Sequence, residues 1–269
     1  MNALDHHALA TLFAAYAAFE FLVRRLLPAY IRLPRTDVPR AAMMASVHFL
    51  ILTLITAGIL SAALIVGYAA LAALTLVYEV LDARRNIQHS PRALEWFLAK
   101  QLVSGIVLIV VWIIGHPFTP LSWYGKWEAV VLSATGVSAS TFHDQRIAIL
   151  TILAAYLFVI DGGTRIVRGI FQKFPTLYAN VVLKLSKPAK GESEENVGEW
   201  IGILERLITL TFVLTGSFTA LAFALTAKSI ARFKELEDKE FSEYYLLGTS
   251  ASLLVAMAAG MLVRIVLKI

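Results

Sequence analysis

The chain has no cysteine, only 8 prolines and only 16% charged residues in a length of 269. Without thiols there is no disulfide framework, no thiolate metal site and no cysteine nucleophile, and the redox compartment stays undetermined. The scarcity of charge is more telling, because soluble domains are about a quarter charged and about half apolar. Here 58% of the residues are hydrophobic and the mean hydropathy is +0.72. A water-soluble fold cannot bury that surplus, so it calls for lipid. Also missing are a phosphate loop, a Gly-x-Ser-x-Gly nucleophile elbow, a His-Glu-x-x-His zinc motif and a dinucleotide fingerprint. With them go the usual sequence warrants for enzyme chemistry.

What is present is a succession of long apolar runs. A helix crossing a ~30 Å hydrocarbon core needs about 20 residues. Runs of about that length extend from Ala8 to Leu27, Ala41 to Gly58, Leu60 to Leu81, Ala93 to Ile114, Ile147 to Ile170, Trp200 to Ala227 and Tyr244 to Lys268. The expected fold class is therefore all-α, a polytopic membrane helix bundle of about seven transmembrane helices. The first run is not a cleavable signal peptide: Asp5, His6 and His7 replace a basic leader, and Glu20, Arg24 and Arg25 lie within it or at its end. Three parts are expected: a five-span unit over 1–170, a charged cytoplasmic linker over 171–199, and a two-span unit over 200–269. The linker is basic and then acidic at Glu192, Glu194 and Glu195, with Pro188 and Gly191 between. His116 to Gln145, carrying Pro117, Pro120, Trp123, Tyr124 and Trp127, has the composition of an interfacial loop.

The balance of 24 basic against 19 acidic residues would point a soluble protein toward nucleic acid. Here the basic residues sit in short loops, where they orient spans, so nucleic acid is not an expected partner. The loops ending at Arg40, Arg92 and Lys190 hold five, three and six basic residues, and the C-terminus holds two. Placing these inside leaves six outside, so the positive-inside rule gives an outside N-terminus and an inside C-terminus in a bacterial cytoplasmic (inner) membrane. One loop fits poorly: Lys228 to Glu243 puts four basic residues outside, alongside five acidic ones.

Ionisable groups inside spans cost several kcal/mol unless paired or hydrated, which makes each a functional candidate. The strongest are Glu20, His48, Lys100 and the Glu205/Arg206 pair; Glu79, Asp82, Asp161, Lys228 and Arg232 are further candidates, several of them within about one turn of a span end. Glu20 precedes Arg24 by four residues, the spacing of a helical ion pair. His48 suits a hydrogen bond to a neighbouring helix as well as a ligand or proton-relay role. Glu205 and Arg206 diverge by about 100°, so at least one must face the protein interior. A hairpin between Ala231 and Ser242 would bring Glu243 to Lys228 or Arg232, leaving Glu205 or Arg206 to find a partner within 1–170. If the sixth run is one helix, Thr211, Thr215, Thr219 and Thr226 share an ~80° sector. Such a polar stripe lines a wet path or returns its hydroxyls to carbonyls one turn back. Gly248, Ser252, Ala256 and Gly260 recur every fourth residue, a helix-packing ridge that lets another helix approach closely.

The segments Gly198 to Leu236 and Glu243 to Gly260 closely resemble the C-terminal region of a bacterial membrane family catalogued as domain of unknown function 3307. The resemblance rests on Gly202, Glu205 and Arg206 in IGILER, on Lys228, Ser229, Arg232 and Phe233 in AKSIARF, and on Glu243, Tyr244, Gly248 and Thr249 in EYYLLGT. The N-terminal half is similar only loosely. There the resemblance implies His-x-x-x-Asp-Phe, a second His-x-x-x-Asp and Asp-Gln-x-x-His, which look like ligands of an intramembrane metal hydrolase. This chain has Tyr16, Glu20 and Phe21 for the first, Tyr78 and Asp82 for the second, and Lys100, Gln101 and Ser104 for the third. Tyrosine is a poor ligand at neutral pH and an ammonium repels a cation. No metal and no cofactor are therefore expected, and Glu20, His48 and Asp82 are the only catalytic remnants.

The function expected is non-enzymatic: a small permease or channel, or an accessory membrane subunit. The alternatives are a membrane sensor or scaffold with a soluble partner, and a degenerate intramembrane metal-dependent hydrolase. Expected partners are the lipid bilayer, a second copy of the chain, or another membrane or soluble protein.

Overall fold

The computed structural model describes residues 11–23, 37–55, 62–85, 92–114, 122–177, 181 and 194–269. Every element among the described residues is helical, as expected for the fold class. Helix α1 runs over Thr11–Phe21 and ends in a π-helical turn, Ala18–Val23. It is followed by α2 (Asp37–Ile55), α3 (Ala62–Arg85), α4 (Ala93–Ile114) and α5 (Ser122–Thr135). Helix α6 (Ala139–Leu157) continues through a π-helical turn at Phe158–Gly162 into α7 (Gly163–Phe171). The C-terminal part holds α8 (Glu194–Leu214), α9 (Phe218–Ala231) and α10 (Lys239–Leu267).

Four stretches are long and apolar enough to cross a membrane: Leu64–Asp82, Ala93–Ile114, Ala139–Phe171 and Lys239–Leu267. Thr11–Phe21, Ala41–Thr53 and Phe218–Ala231 are apolar but shorter. His6, His7, Arg24 and the linker residues 182–193 lie outside the described residues.

Three features depart from the sequence reading. The loop expected from His116 to Gln145 contains α5, and α6 starts at Ala139, where the Ser138 hydroxyl accepts the Thr141 N–H at 3.2 Å as an N-cap. Helix α8 starts at Glu194, inside the expected linker. The sixth run is two helices, because Thr215–Ser217 breaks it. At that break Gly216 has φ of +69°, its N–H reaches the Val213 carbonyl, and the Ser217 N–H reaches the Phe212 carbonyl at 2.8 Å. This is a Schellman stop, whose left-handed residue is best supplied by glycine.

The chain forms two compact units, residues 1–88 with 95–154, and residues 89–94 with 155–269. The division falls within the Ala139–Phe171 helical run. In the first unit Leu12, Ala15 and Tyr16 of α1 pack with Leu52 of α2, Leu64, Tyr68 and Leu71 of α3, and Leu108 and Val111 of α4. These residues repeat every three or four positions, so each helix presents one apolar face to this core.

In the second unit, contacts fix the helix directions. Gly163 meets Arg206 and Arg168 pairs with Glu199, so α7 and α8 are antiparallel. Ser252 meets Arg206, Gly260 meets Leu210 and Val213, and Arg264 bonds the Val213 and Leu214 carbonyls. The contacts climb both helices together, so α8 and α10 are parallel. Lys228 reaches Glu205, which brings the short α9 back antiparallel between them. The ridge residues face this packing: a Cβ on Gly260 would come within 2.6 Å of Val213, and one on Gly248 within 3.0 Å of Phe171. Ala256 is fully buried and Ser252 is buried.

Candidate functional site

The first unit holds a buried polar cluster built from four helices. Position 20 lies in the π-helical turn of α1, which aims the Glu20 carboxylate into the protein at 0% exposure. Lys100, two turns into α4, is 5% exposed and donates to Glu20 Oε2 at 2.5 Å. Its ammonium lies 4.6 Å from the ring centroid of Tyr78 of α3, where the face of the π system attracts a cation. Gln101 donates to Glu20 Oε1 at 3.5 Å and accepts from the Tyr16 hydroxyl at 3.0 Å. His48 of α2 stacks on Phe19 at 3.9 Å and lies 5.8 Å from the Tyr16 ring. Its Nδ1 bonds Thr75 Oγ1 of α3 at 2.7 Å, while that hydroxyl donates to the Leu71 carbonyl. Since the hydroxyl proton goes to Leu71, the oxygen accepts and His48 Nδ1 carries a proton. Glu79 and Ser104 are buried in the same unit, and Asp82 is half-buried.

The Glu20 carboxylate turns inward to Lys100; Arg24, its expected ion-pair partner by spacing, lies outside the described residues. Burying either charge alone costs several kcal/mol, and a short, hydrogen-bonded pair offsets most of that cost. Tyr16, Glu20, Tyr78, Lys100 and Gln101 lie together in this cluster. The cation they surround is the chain's own ammonium. Among the described residues no three His, Asp or Glu side chains are grouped so as to hold a metal ion. The donor set beside Glu20 suits an ammonium and not a divalent metal.

The second unit contains two polar sites on opposite sides of α8. Arg206 is buried and points toward the π-helical turn at Phe158–Gly162. In that turn the Gly163 N–H bonds the Phe158 carbonyl five residues back. The shifted register diverts a donor from the Val159 carbonyl, which takes Arg206 Nε at 2.7 Å. Arg206 also donates to Thr164 Oγ1 at 2.6 Å and to Ser252 Oγ at 3.4 Å. Gly163 makes this approach sterically feasible, because a Cβ there would lie 2.8 Å from Nε. The Gly162-Gly163 step thus marks a helix irregularity with a specific guest.

Glu205 faces the other way and pairs with Lys228 of α9 at 2.5 Å, and Lys228 also donates to Thr249 of α10 at 3.2 Å. The expected pairing of Glu243 with Lys228 or Arg232 does not occur. Glu243 is exposed and faces Lys239 at 3.9 Å, because Asp238 caps α10 by accepting the Phe241 N–H and turns position 243 outward. Arg232 lies over the Phe241 ring at 5.8 Å. The expected threonine stripe is also corrected, since the break at Gly216 divides it between two antiparallel helices. Thr211, Thr215 and Thr226 donate to the Leu207, Thr211 and Ala222 carbonyls, one turn back. Thr219 is exposed in α9.

Sequence reasoning found Glu20, His48 and Lys100 individually by their cost in lipid. It missed Thr75, Thr164 and the Val159 carbonyl, which are ordinary residue types or backbone and carry no sequence signal. Compared with known proteins, the chain matches no family model, no curated sequence and no solved structure.

Proposed function

We propose that the chain is a non-enzymatic multi-pass protein of a bacterial cytoplasmic membrane, a small permease-like or channel-like conductor of protons. The observation that carries this reading is the Glu20–Lys100 pair, fully buried between α1 and α4 beside His48. Carboxylate, ammonium and imidazole groups inside membrane helices mark proton and ion pathways by virtue of their cost there. Glu20, Lys100, Gln101 and Tyr16 form one hydrogen-bonded cluster, and the His48 ring packs 5.8 Å from the Tyr16 ring.

The test is a flux measurement with the purified chain in liposomes enclosing a pH-sensitive dye, under a valinomycin-imposed potassium potential. Wild type should acidify or alkalinise the lumen according to the sign of the potential, and Glu20→Gln should abolish the flux. A rate equal to that of protein-free liposomes overturns the proposal.

At the positions aligned by the resemblance, Lys100 supplies the positive charge beside Glu20. A metal-dependent hydrolase is disfavoured by that ammonium.

The parallel course of α8 and α10 supports a revised orientation. With α9 as a short return segment, the chain makes eight membrane passages, and the basic stretches Arg165–Lys190 and Lys228–Lys239 share one face. Those stretches hold six and four basic residues, against Arg264 and Lys268 at the opposite end. By the positive-inside rule the ten face the cytoplasm and the C-terminus lies outside with the N-terminus. The loop that fitted poorly as an outside segment then fits.

A further inference from the structure

We infer that the space between α8, α9 and α10 is a binding site for a small zwitterion of zero net charge with an apolar body. Each helix contributes residues at i, i+3 and i+4, so three helical faces converge. Helix α8 gives Glu205, Ile208 and Thr209, α10 gives Thr249, Ser252 and Leu253, and α9 presents Leu221, Leu225 and Lys228. The cavity measures about 150 Å³, room for roughly five waters at ~30 Å³ each. Half of its lining residues are leucine, isoleucine or alanine, and the Glu205–Lys228 pair is joined by the hydroxyls of Thr209, Thr249 and Ser252. A concave apolar site with a few convergent polar groups is the common form of a small-molecule pocket.

The charges decide the ligand class. Glu205 and Lys228 are 2.5 Å apart and their side chains remain 29% and 23% exposed. Together they present a dipole with no net charge, so a simple ion of either sign gains from one partner and is repelled by the other. A ligand with adjacent ammonium and anionic groups gains from both. The open valences match: among the described residues Glu205 is bonded only through Oε2, leaving Oε1 to accept. Lys228 uses two protons, on Glu205 and Thr249, and has a third to donate. The Tyr245 ring centroid lies 5.1 Å from the same ammonium and holds it in place. The ligand's apolar body would rest on Leu221, Leu225 and Leu253.

This chemistry has two sources, a free apolar amino acid and the headgroup of a zwitterionic phospholipid. The experiment uses the full chain purified in maltoside detergent. One arm measures equilibrium binding of radiolabelled leucine. The other measures, by native mass spectrometry, retention of phosphatidylethanolamine against the anionic phosphatidylglycerol. Saturable binding in the first arm assigns a soluble ligand, and selective retention in the second assigns a lipid. Leu225→Trp fills the cavity without touching the ion pair, and should lower binding at least about tenfold, or ~1.4 kcal/mol, with an unchanged melting temperature. Should that variant fold poorly, Ala224→Leu is the second filling variant. Absence of binding in both arms, equal retention of the two lipids without leucine binding, or wild-type binding by a folded filling variant overturns the inference.

Discussion

Arg206 Nε donates to the Val159 carbonyl at 2.7 Å, across 47 residues of chain. One helix thereby places a guanidinium against backbone that another helix has exposed by a π-helical turn. Both halves of the contact depend on backbone geometry, on the register shift at Phe158–Gly162 and on the missing side chain at Gly163.

Gly163→Ala should therefore destabilise the protein by about 1–3 kcal/mol, the usual penalty for overpacking. Thermal unfolding in detergent measures it. The double variant Gly163→Ala/Arg206→Met should show a smaller loss than the sum of the single changes, because the displaced guanidinium is gone. Additive losses would mean that Gly163 and Arg206 are not coupled.

Removing one member of the Glu20–Lys100 pair strands the other, at about 3–5 kcal/mol. Glu20→Gln and Lys100→Met should each lower the melting temperature sharply, and the double variant should recover much of the loss. Glu243→Gln, at an exposed pair, should change stability by less than ~1 kcal/mol. A double-mutant cycle on the same preparation reads the coupling directly.

Because the chain has no cysteine, single-cysteine labelling gives topology without background. Glu237→Cys should react with a membrane-impermeant maleimide only after the cytoplasmic face is opened. A cysteine replacing Ile269 should react in intact spheroplasts. The reverse pattern restores an inside C-terminus and would argue against α9 as a return segment.

Elemental analysis of purified protein should find no stoichiometric zinc or manganese. About one metal ion per chain, lost in both His48→Ala and Glu20→Gln, would restore the hydrolase reading.

Apolar runs bounded by charge located the long helices well, since crossing length and hydropathy depend on local composition alone. The four-residue spacing from Gly248 to Gly260 identified the face of α10 that meets Val213 and Phe171, because small side chains in register leave few other uses. Charge pairing was not legible. Nothing local to Glu20 points to Lys100, 80 residues away, which only the tertiary fold brings to it. The break in the sixth run had a local sign that hydropathy masked: Gly216 between Thr215 and Ser217 is the punctuation of a helix end. With that break unread, α8 and α9 merged into one span, and with them the threonine stripe and the Glu243 pairing followed from a geometry the chain does not adopt.

The order in which the buried partners occur along the chain bears on biogenesis. Glu20 precedes Lys100, Val159 and Thr164 precede Arg206, and Glu205 precedes Lys228. During synthesis from the N-terminus, each cationic segment leaves the ribosome after its acceptor has already been made. A lone lysine or arginine near the middle of an inserting helix costs about 2.5–3.5 kcal/mol at the translocon. Helices α4, α8 and α9 thus meet the membrane with their counterparts waiting. A chain permuted to begin at α4 would ask Lys100 to insert before Glu20 exists, and its yield of integrated protein should fall below that of the native order.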